Sequence, residues 1–367
     1  MTTRRELLRW ATALMALPAI GVADTSIDRA RKPLDILFLG GTGFLGPHQV
    51  EYALARGHRV TLFNRGRSAS GLFGDRVEVL IGNRDVKIEP GFAALQGTRQ
   101  WDVVIDNSGY LPRHVRDSIE LLKGRIRRYV FVSTVAAYEP SAAPSFDEQS
   151  PLRAAPDPET EDVTTETYGG LKAECDRLVQ VALGERATII RPTYIVGPGD
   201  DTDRLTYWVD RAARGGEMLG PPDPKAELQW IDVRDLCPWI VDLAERDQSG
   251  IYNAAGPATP ASWEQVLQEL VRLSSTPVQI RWATPEVMRQ TGIRLPFVGS
   301  GLFKGRDSLH FSSTAAQAAG LHYRPLADTA AATLAWWRSQ PDERRAKAEG
   351  WPAPELEQEA LRLLASR

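Results

Sequence analysis

The sequence predicts an α/β fold, a doubly wound parallel sheet followed by a smaller C-terminal substrate-binding region. Three observations predict it. Apolar segments of strand length alternate with helical stretches over residues 34–191, and the first of them runs straight into a glycine-rich turn that opens a helix. Beyond Pro192 the texture changes to scattered Pro and Gly, many of the tryptophans and shorter helical segments. With 367 residues, 43% hydrophobic and 25% charged, the chain can bury one large core or two, which excludes disorder and small disulfide scaffolds.

Residues 1–23 stand apart. Arg4 and Arg5 open a polar segment, an apolar stretch runs from Trp10 to Val22, and the small residues Gly21 and Ala23 close it. This layout predicts an export signal of the twin-arginine kind, cleaved after Ala23 and delivering a periplasmic protein, with an uncleaved helix as the alternative. The apolar run is too short for a membrane span and is broken by Pro18. After it, 34–39 reads as a strand, a helical pattern continues to Arg56, and 59–63 reads as a second strand, which together make a βαβ unit. Further strands are expected over 77–81, 102–106, 129–133 and 188–191, with helices over 114–123 and 168–183 and a long surface loop over 141–158.

Composition removes several function classes. The 44 Lys and Arg against 47 Asp and Glu give a formal net charge of −3, and no basic run is long enough to follow a phosphate backbone, so no nucleic-acid partner is expected. Two cysteines, Cys175 and Cys237, and the absence of a His pair at ligand spacing predict no metal site.

Between the first strand and the first helix, Gly41, Gly43 and Gly46 fit GxGxxG in the place that motif requires. One glycine allows the tight turn, one lets backbone approach a pyrophosphate, and one packs helix against sheet. The motif predicts a Rossmann-type NAD(P)-binding domain over 33–192, with 193–367 mostly the substrate-binding region and some interleaved elements of the first. At the end of the second strand, where a carboxylate would hold the ribose of NAD, stand Asn64 and Arg65. Arg65 can pair with a 2′-phosphate and Asn64 can bond a ribose hydroxyl, so the cofactor is NADP or NAD with a lean to NADP. Tyr168 and Lys172 lie four apart on one helix face, and Ser133 and Thr134 lie at the carboxyl end of a strand, where open α/β sheets bind ligands.

Six segments in order, GGTGFLG at 40–46, VVIDNSG at 103–109, FVSTVAAY at 131–138, YGGLK at 168–172, RPTYIVGP at 191–198 and WIDVRDL at 230–236, resemble the extended short-chain dehydrogenase/reductase family, the epimerase and dehydratase branch. The resemblance implies an enzyme in which Tyr168 is the general acid/base, Lys172 favours the tyrosinate and holds the nicotinamide ribose, and Thr134, or Ser133 one place earlier, bonds the substrate oxygen. It implies a cofactor lined by Gly40, Gly41, Thr42, Gly43, Phe44, Leu45 and Gly46, by Asn83 and Arg84 beside the adenine, by Asn107, Ser108 and Gly109, and by Pro192 and Ile195 at the nicotinamide. A homodimer through two helices is also implied.

Where sugar-nucleotide epimerases of that family carry an arginine that clamps the substrate diphosphate, this sequence has Leu228. A leucine cannot pair with a phosphate, so the expected substrate is a small hydroxy or keto compound such as a free sugar or glycoside, bound against Tyr194, Tyr207, Trp208 and Trp230 unless those aromatics belong to the core. VTLFNRG at 60–66, ETYGGLK at 166–172 and DRLTYW at 203–208 also resemble bacterial relatives of the chloroplast stem-loop RNA-binding proteins. That resemblance supplies the alternative of an RNA-binding or redox-silent nucleotide-binding protein on the same fold.

Overall fold

The structure, a computed structural model, describes residues 27–67, 71–141, 145–298 and 309–366, so the expected export segment lies outside the described residues. The strands in chain order are β1 Asp35–Leu39, β2 Arg59–Asn64, β3 Glu78–Ile81, β4 Trp101–Asp106, β5 Ile126–Val132, β6 Ser145–Phe146, β7 Ala187–Pro192 and β8 Tyr194–Val196, then β9 Gly216–Gly220, β10 Glu227–Asp232, β11 Gly250–Ala254, β12 Gly256–Ser262, β13 Val278–Trp282 and β14 His310–Phe311. Seven of them form one parallel sheet in the order β11-β7-β5-β4-β1-β2-β3, which makes β1 and β4 the neighbours between which the winding reverses.

The continuous apolar run of β1 is explained by burial on both faces of this sheet. Side chains alternate along a strand, so Ile36 and Phe38 join Val50 of α1 (Leu45–Ala55) on one face, while Leu37 and Leu39 join Val115 of α2 (Pro112–Leu122) and Val179 of α3 (Tyr168–Leu183) on the other. Next along the chain come α4 (Arg204–Arg214) and α5 (Val233–Glu245). The latter returns from the C-terminal region to place Leu236 and Ile240 in the α1 face of the sheet, just before β11 adds its edge strand.

A second core lies between the three-stranded sheet β12-β10-β8, the pair β13-β9, α4, and the helices α6 (Trp263–Leu273), α7 (Pro285–Thr291), α9 (Leu326–Ser339) and α11 (Pro354–Ala365), whereas α8 (Thr314–Ala318) packs with the main sheet and α10 (Asp342–Arg345) buries no residue. The surface loop expected over 141–158 is partly structured. Its β6 pairs in parallel with β14, and Phe146 is buried against Tyr138 and Phe311, because three packed rings hide apolar area that an open loop would leave in water.

The last helix is tied into this core by charge. Arg211 of α4 donates through Nε to both carboxylate oxygens of Glu357, at 2.9 and 2.8 Å, and Glu357 Oε1 also accepts from the backbone N–H of Leu219 at 3.0 Å. Both side chains are buried, so removing one partner leaves an uncompensated charge. Glu357→Ala is expected to destabilise the protein by about 3 kcal/mol, read from the urea midpoint, with loss of protection on the 354–365 helix by hydrogen exchange.

Candidate active site

The carboxyl ends of β1, β4, β5 and β7 release the segments 40–46, 107–110, 133–136 and 192–195, and all four border one cavity of about 1020 Å³. The opposite wall comes from the C-terminal region, through residues 200–204, 221–223 and 226–229 with Trp263 and Phe297. That volume lies at the upper end of the range for small-molecule sites and spans both the glycine turn and the second core.

The glycine turn is built as its spacing requires. Gly40 and Gly41 both have φ +105°, where a side chain would be strained, and a Cβ on Gly46 would fall 2.2 Å from the carbonyl carbon of Gly41. Gly43 is different, since a Cβ there would meet nothing within 4 Å. Three positions thus serve the fold and one leaves a face of backbone open toward the cavity, at the start of a helix with no acidic side chain in its first turn. Such a cradle fits a diphosphate.

Beneath it lies a buried ion pair. Arg84 reaches Asp106 at 2.5 and 2.6 Å, and Tyr129 adds its hydroxyl to Asp106 Oδ2 at 2.6 Å. Burial alone would raise the Asp106 acid, but the Arg84 charge and these hydrogen bonds hold it below the usual carboxylate range. The same network fixes Ser108, whose N–H donates to Asp106 at 3.0 Å and whose hydroxyl donates to Leu39 O at 3.1 Å. Arg84 therefore braces the turn from inside and does not line the cavity, which corrects its expected place beside the adenine. Asn83 likewise spends its side-chain oxygen on Asp85 N–H at 3.0 Å.

Lys172 follows the same logic. Its ammonium is 3% exposed and donates to Gly109 O and Val132 O, both at 2.8 Å, joining the ends of β4 and β5, while its ring neighbour is Phe131 at 4.1 Å. Desolvation lowers its pKa. The expectation that Tyr168 and Lys172 project together into the site is corrected to this extent: Tyr168 lines the cavity and Lys172 lies behind it. Gly109 is also set back, because a Cβ there would fall 2.4 Å from the Phe131 ring.

Tyr168 opens α3 and lines the cavity together with Thr134, which also caps the turn after β5 by accepting from Ala136 N–H at 3.2 Å. Burial pushes the Tyr168 phenol up to about 12, opposed by the neighbouring Thr134 and by the charge of Arg204. Ser133 lines the cavity as well, and its buried hydroxyl has no partner among the described residues. Asn107, Ser108, Pro192 and Ile195 line the cavity as expected positions, as do Gly40, Gly41, Phe44 and Leu45.

Thr42, Asn64 and Arg65 do not border it. The side-chain oxygen of Asn64 accepts from Gly66 N–H at 2.8 Å and so shapes its own turn, and Arg65 is exposed. Of the four aromatics, only Tyr194 reaches the cavity. Tyr207, Trp208 and Trp230 belong to the second core, where Trp208 is fully buried and donates to Pro296 O at 3.1 Å. Sequence reasoning missed Tyr110, Asp200, Asp201, Thr202 and Arg204. Its available signal was a run of charged and hydroxyl residues directly after a Gly-Pro-Gly turn.

Residues 36–255 match the family described as the NAD dependent epimerase/dehydratase family. Among curated proteins the chain is 24% identical over 309 residues, 80% of this chain and 75% of the relative, to the chloroplast stem-loop binding protein of 41 kDa b of Arabidopsis thaliana. Among solved structures it resembles the UDP-Glc/GlcNAc 4-epimerase of Campylobacter jejuni with a TM-score of 0.61 at 16% identity, covering 82% of this chain and 98% of that one. It also resembles the UDP-glucuronic acid 4-epimerase of Bacillus cereus, solved in complex with NAD, with a TM-score of 0.60 at 14% identity over 82% and 96%. At these identities the structural likeness concerns the fold.

Replacing Asp106 by Ala leaves the Arg84 guanidinium buried without its counter-charge. Asp106→Ala is expected to cost about 3–5 kcal/mol of stability by urea titration, and Asp106→Asn less, since the amide oxygen still accepts one of the Arg84 bonds.

Proposed function

The chain belongs to the NAD-dependent epimerase/dehydratase family of enzymes, and from that premise we propose that it is an NAD(P)-dependent oxidoreductase or epimerase acting on a secondary alcohol or ketone, such as a free sugar or glycoside, with Tyr168 as acid/base. The observation that carries this reading is that Tyr168 and Thr134 line one cavity together with the open glycine cradle.

A dinucleotide fits the residues present. The bare backbone at Gly43 and the start of α1 suit its diphosphate, the buried side-chain oxygen of Asn107, which has no donor among the described residues, suits a ribose hydroxyl, and Pro192 and Ile195 suit an apolar ring face. When bound, such a cofactor supplies the two-electron redox chemistry that no side chain here can. Asn64 and the exposed Arg65 in place of a carboxylate leave room for a 2′-phosphate, which supports NADP beside NAD.

What the chain itself contributes is proton handling. With its pKa near 12, the Tyr168 phenol keeps its proton at neutral pH and can donate it to a carbonyl oxygen, with the Thr134 hydroxyl lining the same cavity. The residues as they stand therefore favour reduction. Alcohol oxidation needs the phenolate, whose fraction rises about tenfold per pH unit in this range. For the substrate, the apolar Leu228 in the cavity wall supports a molecule without a diphosphate to be clamped. The resemblance to a stem-loop binding protein favours RNA as a second reading, against which stands the acidic charge balance. Export through residues 1–23 remains part of the proposal, tested by sequencing the N-terminus of the protein in a periplasmic fraction.

Denaturing the purified protein and chromatographing the supernatant is expected to release NAD or NADP, or else added dinucleotide binds saturably. Neither release nor binding, together with retention of a stem-loop RNA, overturns the enzyme reading. Tyr168→Phe is expected to lower turnover by at least ~10²-fold with dinucleotide binding retained. In the wild type, carbonyl reduction is expected to be flat between about pH 6 and 9 while alcohol oxidation climbs over the same window.

A further inference from the structure

One wall of the cavity is built by a single short segment between β8 and α4. Asp200 borders the cavity and is 1% exposed. Its Oδ1 accepts from the Thr202 N–H at 2.9 Å and from the Thr202 hydroxyl at 2.6 Å, and its Oδ2 has no partner among the described residues. A buried carboxylate oxygen without a donor is costly. Burial accordingly outweighs the two Thr202 bonds and pushes the Asp200 acid up to about 6. Four residues on, Arg204 borders the same cavity with its guanidinium carbon 5.4 Å from the centre of the Tyr194 ring, and none of its donors meets an acceptor among the described residues. The segment also faces the proton-transfer pair, since the Arg204 charge acts on Tyr168 and the Asp201 charge on Tyr110, whose ring centre is 6.4 Å from that of Tyr168.

The backbone between these two side chains is held from behind. Asp203 has φ +52° and is fully buried, and its carboxylate accepts from Arg344 at 2.7 Å and from the Glu349 N–H at 2.9 Å, while its carbonyl accepts from the Trp351 indole at 3.0 Å. Asp200 and Arg204 are thus two unsatisfied groups of opposite kind, an acceptor and a donor fork, on a segment the C-terminal helices keep in place.

We propose that Asp200 and Arg204 form a carbohydrate-hydroxyl subsite, Asp200 Oδ2 accepting from one hydroxyl and Arg204 donating to its neighbour in a neutral sugar whose reacting carbon lies at Tyr168. The chemistry of the pair selects this class. An anionic group on Arg204 would lie beside the carboxylates of Asp200 and Asp201, and a cationic group on Asp200 would lie beside Arg204. A vicinal diol, each hydroxyl both donor and acceptor, satisfies both at once, and Tyr110, 49% exposed at the cavity, offers an aromatic face to the ring. This inference rests on the redox reading above and adds the substrate's recognition element.

The test uses the full chain loaded with NAD and, as probes, glucose, galactose, mannose and their methyl glycosides, followed by saturation-transfer NMR and titration calorimetry. At least one of these sugars is expected to bind the wild type, with affinity falling tenfold or more in Asp200→Asn and in Arg204→Ala while NAD affinity stays unchanged. Asp200→Asn keeps an oxygen for Thr202 and removes the buried charge, so it is expected to melt above the wild type at pH 8, where Asp200 is ionised, and level with it at pH 5. NAD binding without any sugar binding, sugar binding indifferent to both variants, or a tenfold preference for galacturonate over galactose each overturns the subsite and leaves the redox reading intact. Failure to bind NAD or NADP overturns that reading and this one with it.

Discussion

The buried pair of Arg84 and Asp106 is the constraint on which the rest of the site depends. It sits at the end of β4, where the winding of the sheet reverses, and it reaches four elements at once. Asp106 takes the hydroxyl of Tyr129 from β5, and Arg84 also bonds the hydroxyls of Ser108 and Ser118, the second of these on α2. Ser108 in turn bonds the last carbonyl of β1. Opposite charges this deeply buried are weak evidence for stability as such, because desolvation offsets much of their attraction. Their value here is directional. Every bond they make has one geometry, and together those bonds set where the segments after β1, β4 and β5 leave the sheet.

Lys172 extends the same bracing by one strand. An ammonium between Gly109 O and Val132 O joins the exits of β4 and β5, and α3, which carries it, begins with Tyr168. The phenol is thereby placed at the cavity by a lysine that need not touch the reacting atoms in order to matter. On the other side of the cavity the bracing comes from the C-terminal region, where Asp203 and Glu357 gather bonds from residues far along the chain. The two walls are fixed independently, one by the sheet and one by the last helices.

Much of this was legible in the sequence, and the reasons differ from residue to residue. The apolar run of β1 and the glycine turn after it could be read because local sterics leave few alternatives. The helix over 168–183 followed from its helical pattern. Arg84 and Lys172 were assigned to the ligand, and the aromatics Tyr207, Trp208 and Trp230 were left open between ligand and core, because residue type alone does not distinguish a buried braced group from one that faces a cavity; only the third dimension does. Asp200 and Arg204 were passed over for the opposite reason. They lie after a Gly-Pro-Gly turn, where charged residues ordinarily face solvent, and their burial is imposed by Asp203 contacts with chain some 140 residues away.

One physical term, desolvation, then decides how the site is poised. It raises the Tyr168 phenol, raises the Asp200 acid and lowers the Lys172 ammonium, so each of the three shifts toward its neutral form. Of the two acids only the phenol, near 12, keeps its proton at neutral pH, whereas Asp200, near 6, is mostly ionised there. For Lys172 the two carbonyls restore part of what burial removes, which is why a cation can remain there. A cavity that keeps its phenol protonated is poorly suited to draw a proton from an alcohol and well suited to give one to a carbonyl. Thr134 and the half-buried Arg204, both lining the cavity, pull Tyr168 the other way. A neutral ligand that engages the guanidinium leaves its charge in place, so filling this wall of the cavity keeps that pull on the phenol while it excludes water.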